Sequence, residues 1–93
     1  MKQINTKVEI PVSYFFVNFR RFKRAKGYSN PQLGEISGLH SNTIDKLSRG
    51  VVQPKLDFVV LISVLSGYTI DELCFTELYR EYAEAEDEKY FNI

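Results

Sequence analysis

The sequence predicts a small all-α protein of five helices, on two kinds of observation. Apolar residues recur at helical spacing in segments closed by Gly27, Gly38, Gly50 and Gly67. Ser29-x-x-Gln32 and Thr69-x-x-Glu72 each have the form of a capping box, in which a hydroxyl and a longer polar side chain satisfy the free amides of a helix start. With 93 residues, one domain is expected: an extended arm over 1–12, a core over 13–74 and an acidic carboxy-terminal helix or tail over 75–93.

Ile4, Thr6, Val8, Ile10 and Val12 alternate with polar residues and Pro11. Period two predicts a short strand or extended arm, and Pro11, with no amide to donate, confines it to an edge. Ser13 can cap a first helix over Tyr14 to about Lys26. Phe15, Phe16, Phe19 and Phe22 form its core stripe, and Arg20, Arg21, Lys23, Arg24 and Lys26 cover the rest. A second helix starts at the Ser29 box, tolerates Pro31 in its first turn and ends near Ser37. A third spans about Ser41 to Arg49, capped by His40 or Ser41, with Ile44 and Leu47 inward.

A fourth helix, about Lys55 to Ser66, is apolar on nearly every side. Such a helix must be covered all round, here by the arm, the carboxy-terminal helix or a second subunit. A partner or dimer face is therefore expected at Phe58, Leu61, Val64 and Leu65. The Thr69 box opens a fifth helix that extends through the acidic stretch toward Glu88, with a break near Thr76. Its acids Glu81, Glu84, Glu86, Asp87 and Glu88 read as a solvated face, or as a partner site or a device that discourages non-specific contact with a polyanion.

Composition narrows the function. At 44% hydrophobic and 26% charged residues the chain is that of an ordinary soluble globule and not of a disordered one. It has no signal-type apolar stretch and no run long enough to span a bilayer. A lone Cys74 excludes an internal disulfide and fits a reducing compartment, so a cytoplasmic protein is expected, with Cys74 in the core. His40 is the only histidine, and no nucleophile–base pair, metal spacing or phosphate-cradling glycine loop is present. No enzyme activity, cofactor, metal or small-molecule ligand is expected.

The net charge is zero, but its distribution is uneven. Through Lys55 there are ten bases and three acids; from Leu56 onward there are two bases and nine acids. A basic half suits a polyanion-facing surface, and the acidic half is separate from it.

Ser29 to Arg49 contains two short helices joined by a glycine turn. Gly34 stands where two steeply crossing helices need a small residue, and Leu39 is expected to plug the core. This run, with Pro54, Leu56, Gly67 and Asp71-Glu-Leu73, resembles the phage-repressor, Cro-like helix-turn-helix family from about Phe19 through Leu73. The chain departs from that pattern at Pro31, Gly34, His40, Ser48 and Ser66; Gly34 stands for the usual alanine.

The resemblance implies a five-helix lambda-repressor-like domain that binds double-stranded DNA as a transcriptional regulator, typically a homodimeric repressor. It puts base reading on the outer face of the third helix, at Ser41, Asn42 and Lys46, and Asp45 is a further candidate because a carboxylate can accept from cytosine. It places phosphate contact on Asn30 with Ser29 and Gln32 beside it. Arg20, Lys23, His40, Thr43, Arg49 and Lys55 are the other candidates for the DNA backbone. The alternative is a protein-interaction module, antitoxin-like or antirepressor-like, that keeps the same fold.

Overall fold

The computed structural model describes residues 13–87. The arm expected over 1–12 and the final residues lie outside that range. The described residues form five α-helices and no strand: α1 (Ser13–Lys26), α2 (Asn30–Ser37), α3 (Ser41–Ser48), α4 (Leu56–Ser66) and α5 (Ile70–Phe75). The expected capping boxes are both formed, at Ser29/Gln32 and Thr69/Glu72. No helix among the described residues is long and apolar enough to cross a membrane.

The phenylalanine stripe of α1 is the spine of the core. Phe15, Phe19 and Phe22 are fully buried. The Phe15 and Phe19 rings stack at 5.9 Å, and Phe58 of α4 meets them edge-on at 6.3 and 5.3 Å, the offset and T-shaped geometries that aromatic quadrupoles favour. Leu33, Ile44, Leu47, Ile62 and Leu73 complete this core from the other helices. Cys74 joins it as expected; burial, aided by Asp71, pushes its thiol up, so it packs as a neutral group.

Three expectations are corrected. Arg21 is not on the surface but only 1% exposed. The fifth helix does not run into the acidic segment: it ends at Phe75, and the chain continues through two short 3-10 turns, Arg80–Tyr82 and Ala85–Asp87. Leu39 does not plug the core but is 37% exposed.

The first two corrections have one cause, a second buried face on α1 carrying Val17, Asn18 and Arg21. Asn18 Nδ2 donates to the carbonyls of Leu73 (2.7 Å) and Thr76 (2.8 Å), and its Oδ1 accepts from the Leu78 amide (3.0 Å). A carbonyl freed at the end of α5 thus finds its partner on α1, which ends that helix and turns the chain back. Arg21 Nε donates to Asp87 (3.0 Å), and its Nη1 donates to the Leu78 carbonyl (3.0 Å) and to Glu77 (3.2 Å). Tyr79, in the left-handed region at φ 52°, packs its ring on Phe22 and Tyr68. Residues 77–87 are therefore a strap laid over α1, pinned at one end by Tyr79 and at the other by the fully buried Asp87.

Candidate nucleic-acid interface

The candidate interface is built on α2, the three-residue turn and α3. Ser29 Oγ accepts from the Gln32 amide (3.1 Å) and Gln32 Oε1 accepts from the Ser29 amide (2.8 Å), which fixes the start of α2. Asn30 Oδ1 accepts from Lys23 Nζ, tying the end of α1 to that same start. Gly38 leaves α2 in the left-handed conformation at φ 81°, its amide donating to the Gly34 carbonyl (2.8 Å). His40 then caps α3: its Nδ1 accepts from the Asn42 amide at 3.0 Å.

One face of α3 is held by the core through Ile44, Leu47 and Ser48. The opposite face presents Asn42, Lys46 and Arg49, all exposed. Among the described residues, the Asn42 and Lys46 side chains have neither a hydrogen bond nor an ion pair, so their donors are open to a ligand. The other two expected base-reading residues sit differently. Ser41 is half-buried at the flank, and the Asp45 carboxylate accepts from Arg49 Nε at 3.0 Å, an exposed i,i+4 pair that neutralises it and engages Arg49.

The expected phosphate-contacting residues fall into several separate groups, with Arg49 on α3 paired to Asp45. Ser29, Asn30, Gln32 and Lys23 gather where α1 meets α2. His40 is exposed at the start of α3, beside Asn42. Thr43 and Lys55 lie elsewhere, on an apolar groove of about 540 Å³ between the α2–α3 turn and α4, together with Ile36, Leu39, Val52 and Pro54. Arg20 is committed within the chain, paired with Asp87 and, at 3.9 Å, with Glu86.

Lys23 is the electrostatic centre of the first group. Burial lowers its proton affinity; Asp45 partly offsets this, while Arg24 and Arg20 add to it. Its ammonium lies 5.7 Å from the Phe19 ring centroid, a cation–π contact that holds the chain in place. Arg20, Lys23, Arg24, Tyr28 and Ser48 line a cleft of about 260 Å³ beside it.

Of the four α4 residues expected at a partner face, only Val64 is exposed. Phe58 is only 4% exposed and belongs to the core, and Leu61 and Leu65 pack partly against it. Val64 is exposed, but its neighbours on that side are Leu56 and Val60, one turn apart along the helix. No sequence pattern selects the register, because an apolar helix without a polar side carries no phase.

The strap and its partners Asn18 and Arg21 were missed by sequence reasoning. The available signal was the run of bases at Arg20, Arg21 and Arg24 matched against the acids Glu77, Glu84, Glu86 and Asp87 in the other half. Comparisons of the chain with protein-family models, with curated proteins and with solved structures returned no match.

Proposed function

We propose that the chain is a sequence-specific double-stranded DNA-binding regulator of the lambda-repressor-like, Cro-like type, acting in the cytoplasm as a homodimeric repressor that occludes a promoter. The observation that carries this reading is the outer face of α3: Asn42 and Lys46 stand exposed and uncommitted on a short helix whose other face is locked into the core. Asn can pair bidentately with adenine, and Lys can donate to guanine. The α2 start, with Asn30, Gln32 and Lys23, provides donors for the flanking phosphates. Two copies joined through the Leu56, Val60 and Val64 stripe would read half-sites about 34 Å apart.

Selection of bound sites from random duplex DNA tests this directly. A regulator of this type enriches a palindromic site whose halves are about one helical turn apart. Recovery of no sequence above background rejects specific recognition.

The apolar groove favours a second reading, a protein-interaction module using the same helices. Size-exclusion chromatography with and without duplex DNA of random sequence separates the two, because an interaction module elutes unchanged by DNA.

A further inference from the structure

Resting on the DNA-binding reading, we propose that the acidic strap, residues 77–87, is an internal competitor for the DNA backbone, occupying the guanidinium groups of Arg20 and Arg24 that phosphates would otherwise engage. Arg24 Nη2 pairs with Glu84 at 2.9 Å and its Nη1 donates to the Tyr82 carbonyl. Arg20 pairs with Asp87 and, more distantly, with Glu86. Both arginines line the cleft that also contains Lys23, whose ammonium is bonded to Asn30 at the start of α2. The strap's carboxylates are thus set against the same basic cluster that borders the expected phosphate-binding helix start.

The contact is asymmetric in a way that suits exchange. The inner pair, Arg21 and Asp87, is buried and pins the strap. The outer partners are half open to water: the Glu84 and Glu86 side chains are 50% and 68% exposed, and an exposed pair adds little to stability. Arg20 Nε is buried and has no hydrogen-bond partner among the described residues, so the strap leaves one of its donors unsatisfied. A phosphate in the cleft would meet the guanidinium edges of Arg20 and Arg24 and the Lys23 ammonium. While the strap stays in place, it would also meet the repulsion of Glu84 and Glu86. The strap thereby holds down affinity for any duplex and leaves base reading by α3 to decide where the chain stays bound.

The test uses the full chain and a labelled random-sequence duplex, with binding followed as salt is raised. The variants are the double substitution Glu84→Gln with Glu86→Gln, and Glu81→Gln as a control on the same strap that removes a charge without a pairing partner among the described residues. The double variant is expected to bind several-fold tighter than the parent. Its plot of log affinity against log salt should steepen by about 0.9, for the Arg24 guanidinium released to a phosphate while Arg20 stays paired with Asp87. Adding Arg20→Gln and Arg24→Gln to it should remove the gain. If the parent binds and the double variant binds no better than Glu81→Gln, the competitor role is overturned and the DNA-binding reading stands. If no protein in the set, the double variant included, retains the duplex, both fall.

Discussion

Gly34 and the carbonyl oxygen of Leu39 approach so closely that a β-carbon on residue 34 would lie 2.7 Å from that oxygen. The obstacle is backbone, and it cannot swing aside as a side chain would, because the turn is set by Gly38 at φ 81°. Gly34→Ala therefore opposes two effects. Alanine gains about 1 kcal/mol of helix propensity, while overpacking typically costs about 1–3 kcal/mol. With a backbone atom as the obstacle, the upper part of that range applies and the clash wins. The variant is expected to melt about 4–8 °C below the parent for each net kcal/mol lost. An unchanged or raised melting temperature would mean that α2 and α3 can separate freely.

Asn18 satisfies three backbone groups across 55 or more residues of sequence. Asn18→Ala leaves the Leu73 and Thr76 carbonyls and the Leu78 amide without that partner, and a buried polar group left unmade costs about 1–3 kcal/mol. The expected loss is at least about 2 kcal/mol in urea unfolding. Amide exchange at Leu78 should accelerate more than at Ile44, since the strap is released before the core. Equal acceleration at both would show that the strap has no separate opening.

The same residue shows where the sequence was legible and where it was not. Helix starts and stops were readable because they depend on local chemistry: Ser29 with Gln32, Thr69 with Glu72, and glycine at the left-handed exits. The outer face of α3 followed from the inward spacing of Ile44 and Leu47. Burial of Asn18 and Arg21 was not readable, because both are polar residues whose partners lie far along the chain, and no local pattern marks a polar residue as buried. Gly34 is legible as a small residue at a crossing, but its closeness to Leu39 depends on the turn geometry.

Acid should release the strap. Burial alone would raise the Asp87 carboxyl, but the Glu84 amide, the Arg21 hydrogen bond and the charges of Arg20 and Arg21 outweigh it and hold the group below the usual aspartate range. A depressed folded value means stability that is fully present above the unfolded value of about 3.9 and lost as pH falls through the lower, folded one. Stability of the parent should therefore decline from about pH 4 downward. Asp87→Asn should be less stable at neutral pH by about 1–3 kcal/mol, because Arg21 loses its buried carboxylate but keeps Glu77 and the Leu78 carbonyl, and should show a flatter acid limb. Parallel acid limbs in the two proteins would exclude Asp87 as the titrating group.

The exposed stripe on α4 gives a test of self-association. Leu56 and Val64 are 70% and 73% exposed, with Val60 between them, so a charge there is solvated in a monomer and buried in a dimer. Val60→Glu should leave the melting temperature of a dilute sample nearly unchanged and shift sedimentation at high concentration from dimer to monomer. A parent that sediments as a monomer at every concentration removes this surface from the dimer reading.

Base reading and phosphate binding separate by their salt response. Lys46 is exposed on the outer face of α3 and has no partner among the described residues, whereas Lys23 sits half-buried against Asn30 where α2 begins. On the selected site, Lys46→Ala should cost about 1–3 kcal/mol of discrimination at a single base position while random duplexes are bound nearly as before. Lys23→Ala should weaken specific and random duplexes alike and make the salt slope shallower by about 1. The two losses should add, since the residues share no partner. If Lys46→Ala instead weakens all duplexes equally, Lys46 touches the backbone, and base reading by α3 would rest on Asn42.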